Sequence, residues 1–216
     1  VVKWLEGLGH RVEEKGNGVD GVELVKAYYL MNSGEMAATV NRIEKTFGRP
    51  LTANDMEMES WVLNKAGQSV SAAEYSASLA TWDRAAERMA ELHEQYDFYI
   101  TPATAFPAPK IGELTHSREK QDYFRSQIET VDKSKHQELV YDMFHLGLIY
   151  SPFTALANLT GQPAMSLPVH LTHDRLPLGV QVIASKGDEI RLLQLAHLIE
   201  QSKLWVGMKG NPYFTF

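Results

Sequence analysis

Three groups of residues have types and spacings that could carry chemistry. Gly16-Asn17-Gly18-Val19-Asp20-Gly21 reproduces the G-x-G-x-x-G spacing with which a loop offers backbone N–H groups to a dinucleotide pyrophosphate. That chemistry needs an apolar strand feeding the loop and an acidic residue roughly 20 positions on for the ribose. Here Arg11-Val12-Glu13-Glu14-Lys15 precedes the loop, too charged for the centre of a parallel sheet, and its glutamates would repel phosphate. Glu44 stands at a suitable distance, but a glutamate there is commonplace. The glycines and Asn17 therefore read as turn residues, and no nicotinamide or other cofactor is expected. His170-Leu171-Thr172-His173-Asp174 gathers two imidazoles and a carboxylate, yet a spacing of three suits a helix, whereas this stretch leaves a strand for a turn. It reads as a polar surface turn, and no metal is expected. Serine chemistry finds no G-x-S-x-G elbow and no Gly-Gly dipeptide for an oxyanion loop. Ser185-Lys186 and Ser202-Lys203 are sequence neighbours, which seldom point at each other as nucleophile and base. No catalytic residue is expected within this chain.

The composition bounds what else is open. The 216 residues carry 21 basic and 27 acidic side chains, a net charge of −6 with histidine neutral. Hydrophobic residues at 44% and charged residues at 22% match globular averages and exclude disorder. The acid balance argues against nucleic acid as a partner. No apolar run approaches the ~18 residues of a membrane span and no signal-peptide pattern opens the chain, so a soluble, cytoplasmic protein is expected. With no cysteine, disulfides, thiolate metal sites and cysteine nucleophiles are excluded.

The elements that would position any site alternate between helices and short apolar runs. Val2, Leu5 and Leu8 share a helix face ending at Gly9, with no capping residue ahead of Val1. The chain is thus expected to begin inside an element. His10–Lys15 reads as a short edge strand, and Val22–Lys45 as a helix with Leu24, Tyr28 and Met31 on one face. Gly48-Arg49-Pro50 breaks it, and Thr52–Ala66 predicts another helix ending at Gly67. Ser71 and Glu74 form a capping box for a helix carrying Tyr75, Leu79, Trp82, Ala86, Met89 and Tyr96, about 37 Å long. Phe98-Tyr99-Ile100 predicts a buried strand halted by Thr101-Pro102, and the prolines of 103–109 a loop. Ser117–His145 predicts a charged helix with a solvated face. Ala164–Val169 and Leu178–Ala184 predict neighbouring strands across the turn Thr172–Pro177. Asp188 should cap a last helix with Ile190, Leu193, Ala196 and Ile199 on its apolar face. The class this predicts is α/β with a covered sheet.

One stretch stands above background. From Phe153 the chain reads F-T-A-L-A-N-L-T-G-Q-P-A-M-S-L-P through Pro168, then Leu176-Pro177-Leu178-Gly179-Val180-Gln181, then a leucine-rich helix with Glu189 and Glu200. This resembles the C-terminal signature region of the amidase signature family of amide hydrolases. Phe153, Thr154, Asn158, Thr160, Gly161, Pro163, Ala164, Ser166 and Pro168 match its pattern, as do Leu176, Pro177, Gly179 and Gln181. Arg175 stands where that pattern commonly has glycine. Upstream, Tyr96-Asp97-Phe98, Thr101-Pro102-Ala103 and Pro107-Ala108-Pro109 resemble the family's strand and proline loop, and Leu5–Glu13 its helix–turn–strand. The resemblance spans the chain, weakest over Asn41–Gln68 and Thr115–Phe144. Tyr28-Tyr29 and Glu35 are similar to the branch of 6-aminohexanoate cyclic-dimer hydrolase-like amidases.

The resemblance implies a three-layer α/β/α fold with a mixed sheet. It implies cleavage of carbon–nitrogen amide bonds through an acyl-enzyme formed by a serine, a second serine in a cis peptide and a lysine. In the family those groups lie in the N-terminal half, within or near a glycine–serine-rich segment that this chain lacks. Residues 1–216 are therefore expected to be the C-terminal portion of a single amidase domain, inactive alone, with the N-terminal half as partner and a small-molecule amide as substrate. Thr101, Thr104, Phe106, Ser151, Phe153 and Thr154 are the substrate-pocket residues the resemblance implies. Glutamine-specific members have an acidic residue near the Ser151 position, so a less polar amide is expected. Exposed strand edges would allow self-association through the cut surface. The alternative is a freestanding, non-catalytic binding or assembly module built on half the fold.

Overall fold

The computed structural model describes residues 1–207. The chain folds as α1 (Val2–Gly7), α2 (Gly21–Phe47), α3 (Met58–Gly67), α4 (Ala72–His93), β1 (Phe98–Pro102), α5 (Arg118–Thr130), a 3₁₀ turn (Lys133–Lys135), α6 (His136–Tyr150), α7 (Thr154–Thr160), β2 (Ala164–Leu171), β3 (Pro177–Ala184) and α8 (Glu189–Glu200). The α/β class expected from the sequence is the class observed. Two compact units form, one from Val1–Val19, Ala86–Pro109 and the described residues from Tyr150 on, the other from Asp20–Ala85 and Lys110–Ile149. No described helix is long and apolar enough to cross a membrane.

The second unit is helical. Asp20 Oδ1 accepts from the Val22 and Glu23 N–H groups at 2.9 and 3.0 Å, satisfying two orphan donors at the start of α2. Gly48, at φ 68°, ends that helix in the left-handed conformation glycine adopts without strain. The buried side of α2 is Leu24, Ala27, Tyr29, Ser33, Ala37 and Val40, while Tyr28 and Met31 are only half-buried. Small residues decide this face: a Cβ on Gly67 would lie 1.9 Å from the Ser33 carbonyl oxygen and 2.9 Å from Ala37 Cβ. Close approach of α2 and α3 thus depends on a hydrogen at Gly67. Around that crossing Met58, Val62, Phe124 and Val140 are at most 1% exposed.

Two expected helices are interrupted by side chains that satisfy the backbone locally. Thr52–Ala66 does not form one helix, because Asp55 accepts from Thr52 N–H (2.8 Å), Thr52 Oγ1 (2.7 Å) and the Arg49 guanidinium, making a turn that delays α3 to Met58. Ser117–His145 is two helices, since Val131 is extended and Asp132 accepts from Ser134 N–H at 2.9 Å. The capping box of α4 is formed: Ser71 N–H donates to Glu74 Oε2 at 2.8 Å and Glu74 N–H to Ser71 Oγ at 3.2 Å. Its 22 residues span about 33 Å and end at His93, short of Tyr96.

In the first unit the sheet order is β1-β3-β2. Both pairs are antiparallel, so the mixed sheet the resemblance implies is represented among the described residues by antiparallel pairs alone. Alternation along β3 sends Val180, Val182 and Ala184 into a core with Leu5, Leu167, Leu192, Leu195 and Ile199. The buried line of α8 is therefore Leu192, Leu195 and Ile199, and the face expected from Ile190 and Leu193 is displaced, these two being 71% and 67% exposed. Asp188 makes no side-chain capping bond. His10–Lys15 forms no strand: Arg11 and Glu13 pair with each other, and Glu13 accepts from the Tyr96 hydroxyl at 2.6 Å. Those two donors hold the Glu13 carboxyl below the usual carboxylate range.

Candidate functional site

Residue alternation that turns half-buried Val180 and buried Val182 to one face of β3 leaves Gln181 on the other. There it is flanked in register by Thr101 of β1 and Ser166 of β2. Gln181 is 5% exposed. Its Nε2 donates towards Thr101 Oγ1 at 3.4 Å and to the Phe153 carbonyl at 3.3 Å, where the chain enters α7. A buried amide placed between two chain segments is stable only if its donors are used, and these bonds use them. Gly179 permits the neighbouring approach: a Cβ there would stand 3.0 Å from the Leu167 carbonyl oxygen and 2.9 Å from Ser166 Oγ. Ala103 N–H donates to the Gly179 carbonyl at 3.0 Å, carrying the loop after β1 along the same edge.

That loop then meets the segment after α6. Ala105 N–H donates to the Tyr150 carbonyl at 2.9 Å, and the rings of Phe106 and Tyr150 lie 5.1 Å apart at 48°. Thr104 Oγ1 donates to the Phe106 carbonyl at 2.8 Å, which tightens the turn. Ser151 Oγ and Thr154 Oγ1 share a hydrogen bond at 3.0 Å, and Asn158 Nδ2 donates to the Thr154 carbonyl at 2.8 Å. All six residues expected at a pocket thus belong to one hydrogen-bonded corner formed by 101–106 and 150–154. Phe106 is 46% exposed, and Thr101, Thr104, Ser151, Phe153 and Thr154 are half-buried.

The corner offers hydroxyls and aromatic rings. Its hydroxyls accept or donate to a neutral polar group and its rings cover apolar surface, but none of the six carries a group that exchanges a proton near neutral pH. Gln181 and Gly179 lie outside the segments expected at a pocket, although each holds the corner in place. Gln181 had a sequence signal: a polar residue between Val180 and Val182 in a buried run.

Other candidates resolve into structure. The Gly16–Gly21 stretch is a loop without a preceding strand, in which Asn17 Oδ1 accepts from Val19 N–H at 2.9 Å. No group of three His, Asp or Glu residues among those described converges on a metal position, and His173 is an exposed turn residue beside Asp174. A serine and an imidazole do meet in the helical unit, Ser69 Oγ lying 3.1 Å from His136 Nδ1. That imidazole is 6% exposed, and the contact ties the chain after α3 to the first residue of α6. A groove of about 520 Å³ lies among α2, α4 and α6, lined by Lys26, Leu30, Ser78 and Gln137 among others.

The fold and this corner define an α/β chain with a hydrogen-bonded rim of hydroxyl and aromatic groups. The family model described as Amidase matches residues 1–193, and the chain belongs to the amidase family. It is 32% identical over 205 residues to a lipoamidase of Enterococcus faecalis, covering 94% of this chain and 28% of that protein. It is 28% identical over 207 residues to a 6-aminohexanoate-cyclic-dimer hydrolase of Pseudomonas sp. (strain NK87), covering 95% of this chain and 39% of the relative. A solved structure of 6-aminohexanoate cyclic dimer hydrolase superposes with TM-score 0.74 at 28% identity, covering 94% of this chain and 39% of that one. A bacterial aryl acylamidase shares the fold at TM-score 0.68 and 18% identity, covering 94% and 39% of the two chains. The chain spans 28–39% of the length of these curated relatives.

Proposed function

We propose that the corner formed by 101–106 and 150–154 is one wall of the acyl pocket of an amide hydrolase whose nucleophilic serine lies outside residues 1–216. The observation that carries this reading is the convergence of Thr101, Thr104, Phe106, Ser151, Phe153 and Thr154 through Gln181 and the Ala105–Tyr150 bond. None of those six side chains carries a charge, which suits a neutral, weakly polar acyl chain, because a charged group desolvated beside them would find no counter-charge among them. One relative is named a 6-aminohexanoate-cyclic-dimer hydrolase, and the hexanoate chain in that name is aliphatic. In this reading the wall orients the scissile carbonyl for attack, and the acyl-enzyme forms on a serine supplied by the rest of the amidase domain. The outer edges of β1 and β2, each paired only with β3 among the described strands, suit continuation of the sheet by that partner or, failing it, by a second copy.

The test compares two preparations on an aliphatic chromogenic amide. Residues 1–216 alone should show no turnover, and the intact protein should hydrolyse the amide and lose activity to a serine-directed acylating reagent. Turnover by residues 1–216 alone, abolished by that reagent, would place the nucleophile within this chain and overturn the reading. An intact protein inert towards aliphatic amides would overturn it equally.

A further inference from the structure

We infer that Gln181 is a positioning residue, one that sets the separation between the two segments of the pocket wall and so tunes affinity for the acyl group. This rests on the wall reading above and extends it to a residue that need not touch substrate. Gln181 lies on the central strand of the three, and its one amide nitrogen reaches both Thr101 Oγ1 and the Phe153 carbonyl. These partners belong to different stretches of chain, β1 and the entry to α7. A polar side chain 5% exposed is costly unless its donors are used, so the amide does more than fill volume. An isosteric apolar side chain would keep the packing and release the Phe153 carbonyl, letting the 150–154 segment drift from β1. The wall meets the acyl group alike in ground and transition states, so the drift should weaken both equally. It then appears in KM and leaves kcat nearly untouched.

The experiment uses the intact protein and an aliphatic chromogenic amide. Gln181→Met keeps length and bulk without the donor, and is expected to raise KM about five- to tenfold with kcat within about twofold. Gln181→Glu carries a carboxyl that donates only when protonated. Its KM should approach the wild-type value as pH falls through that carboxyl's pKa, a limb absent from the wild type and from Gln181→Met. A role in packing alone predicts wild-type KM for Gln181→Met and no such limb for Gln181→Glu, and that result overturns the inference. Methyl resonances separate this failure from failure of the wall reading. If the wild type hydrolyses no amide, Gln181→Met should still shift the Thr101 and Thr154 methyls and leave Thr172, in the β2–β3 turn, unmoved. Unshifted Thr101 and Thr154 methyls would remove the positioning role whatever the activity.

Discussion

The helical unit and the corner around Gln181 are held by opposite means. In the helical unit, Phe124, Met58, Val62 and Val140 close a core that excludes water, and α2 meets α3 where only a glycine hydrogen fits. Stability there scales with apolar area and with fit. The corner instead spends buried surface on one amide and a set of hydroxyls, and leaves its rings and hydroxyls half open. Net gains from such bonds are small, because water competes for every partner. The difference separates what keeps the chain folded from what shapes the proposed pocket wall: damage to the first should be seen in unfolding, and on the proposed reading damage to the second in binding.

Substitutions can break or sharpen that contrast. Phe124→Ala removes a side chain 1% exposed and leaves a cavity, with an expected loss of about 3–5 kcal/mol by denaturant unfolding. Gly67→Ala forces a methyl against the Ser33 carbonyl, which cannot give without parting α2 from α3, and should cost about 3 kcal/mol in the same assay. Gly179→Ala is the counterpart beside the corner. Its methyl would meet the Leu167 carbonyl at 3.0 Å, so about 1–2 kcal/mol is expected, and a loss larger than that of Gly67→Ala would erase the contrast. Ser71→Ala opens the capping box of α4 and should cost about 1 kcal/mol, read as a lowered melting temperature.

The smallest effect belongs to the exposed turn at Asp55. The hydrogen bonds from Arg49 and Thr52 hold the Asp55 carboxyl well below the usual carboxylate range. A depressed folded-state pKa means the stabilisation is present above the unfolded value of about 4 and fades as pH falls through the lower folded value. Asp55→Asn should therefore lower the melting temperature slightly at neutral pH, and the gap to the wild type should close in strong acid. A gap that persists unchanged at low pH would show that geometry, not charge, holds this turn.

Much of the fold was legible one segment at a time. Ser71 and Glu74 announce the start of α4, Gly48 the end of α2, and the apolar runs at 98–100, 164–169 and 178–184 the three strands. The misreadings have separate physical causes. Ile190 and Leu193 look like a core face by hydrophobicity, but α8 turns Leu192, Leu195 and Ile199 to the sheet, and two helix faces of similar apolarity cannot be ranked without the partner surface. On α2, Ala27, Ser33 and Ala37 are buried because they are small, a property that a search for large apolar residues passes over. The breaks at 52–57 and at 131–132 come from aspartates whose carboxylates take backbone N–H groups the helix would have used.

The candidate corner divides along the same line. The hydroxyls and rings, the proline loop and the run from Phe153 to Gln181 are written in the order of residues, and with them the kinship to amidases over residues 1–193. That Thr101, Phe153 and Gln181 meet was decided by strand register, which sets Thr101 opposite Gln181 and brings the start of α7 over the same face. Local preferences act over a few residues, whereas pairing between distant segments is chosen by the burial and hydrogen bonding of the whole sheet, and so appears only when the chain is folded.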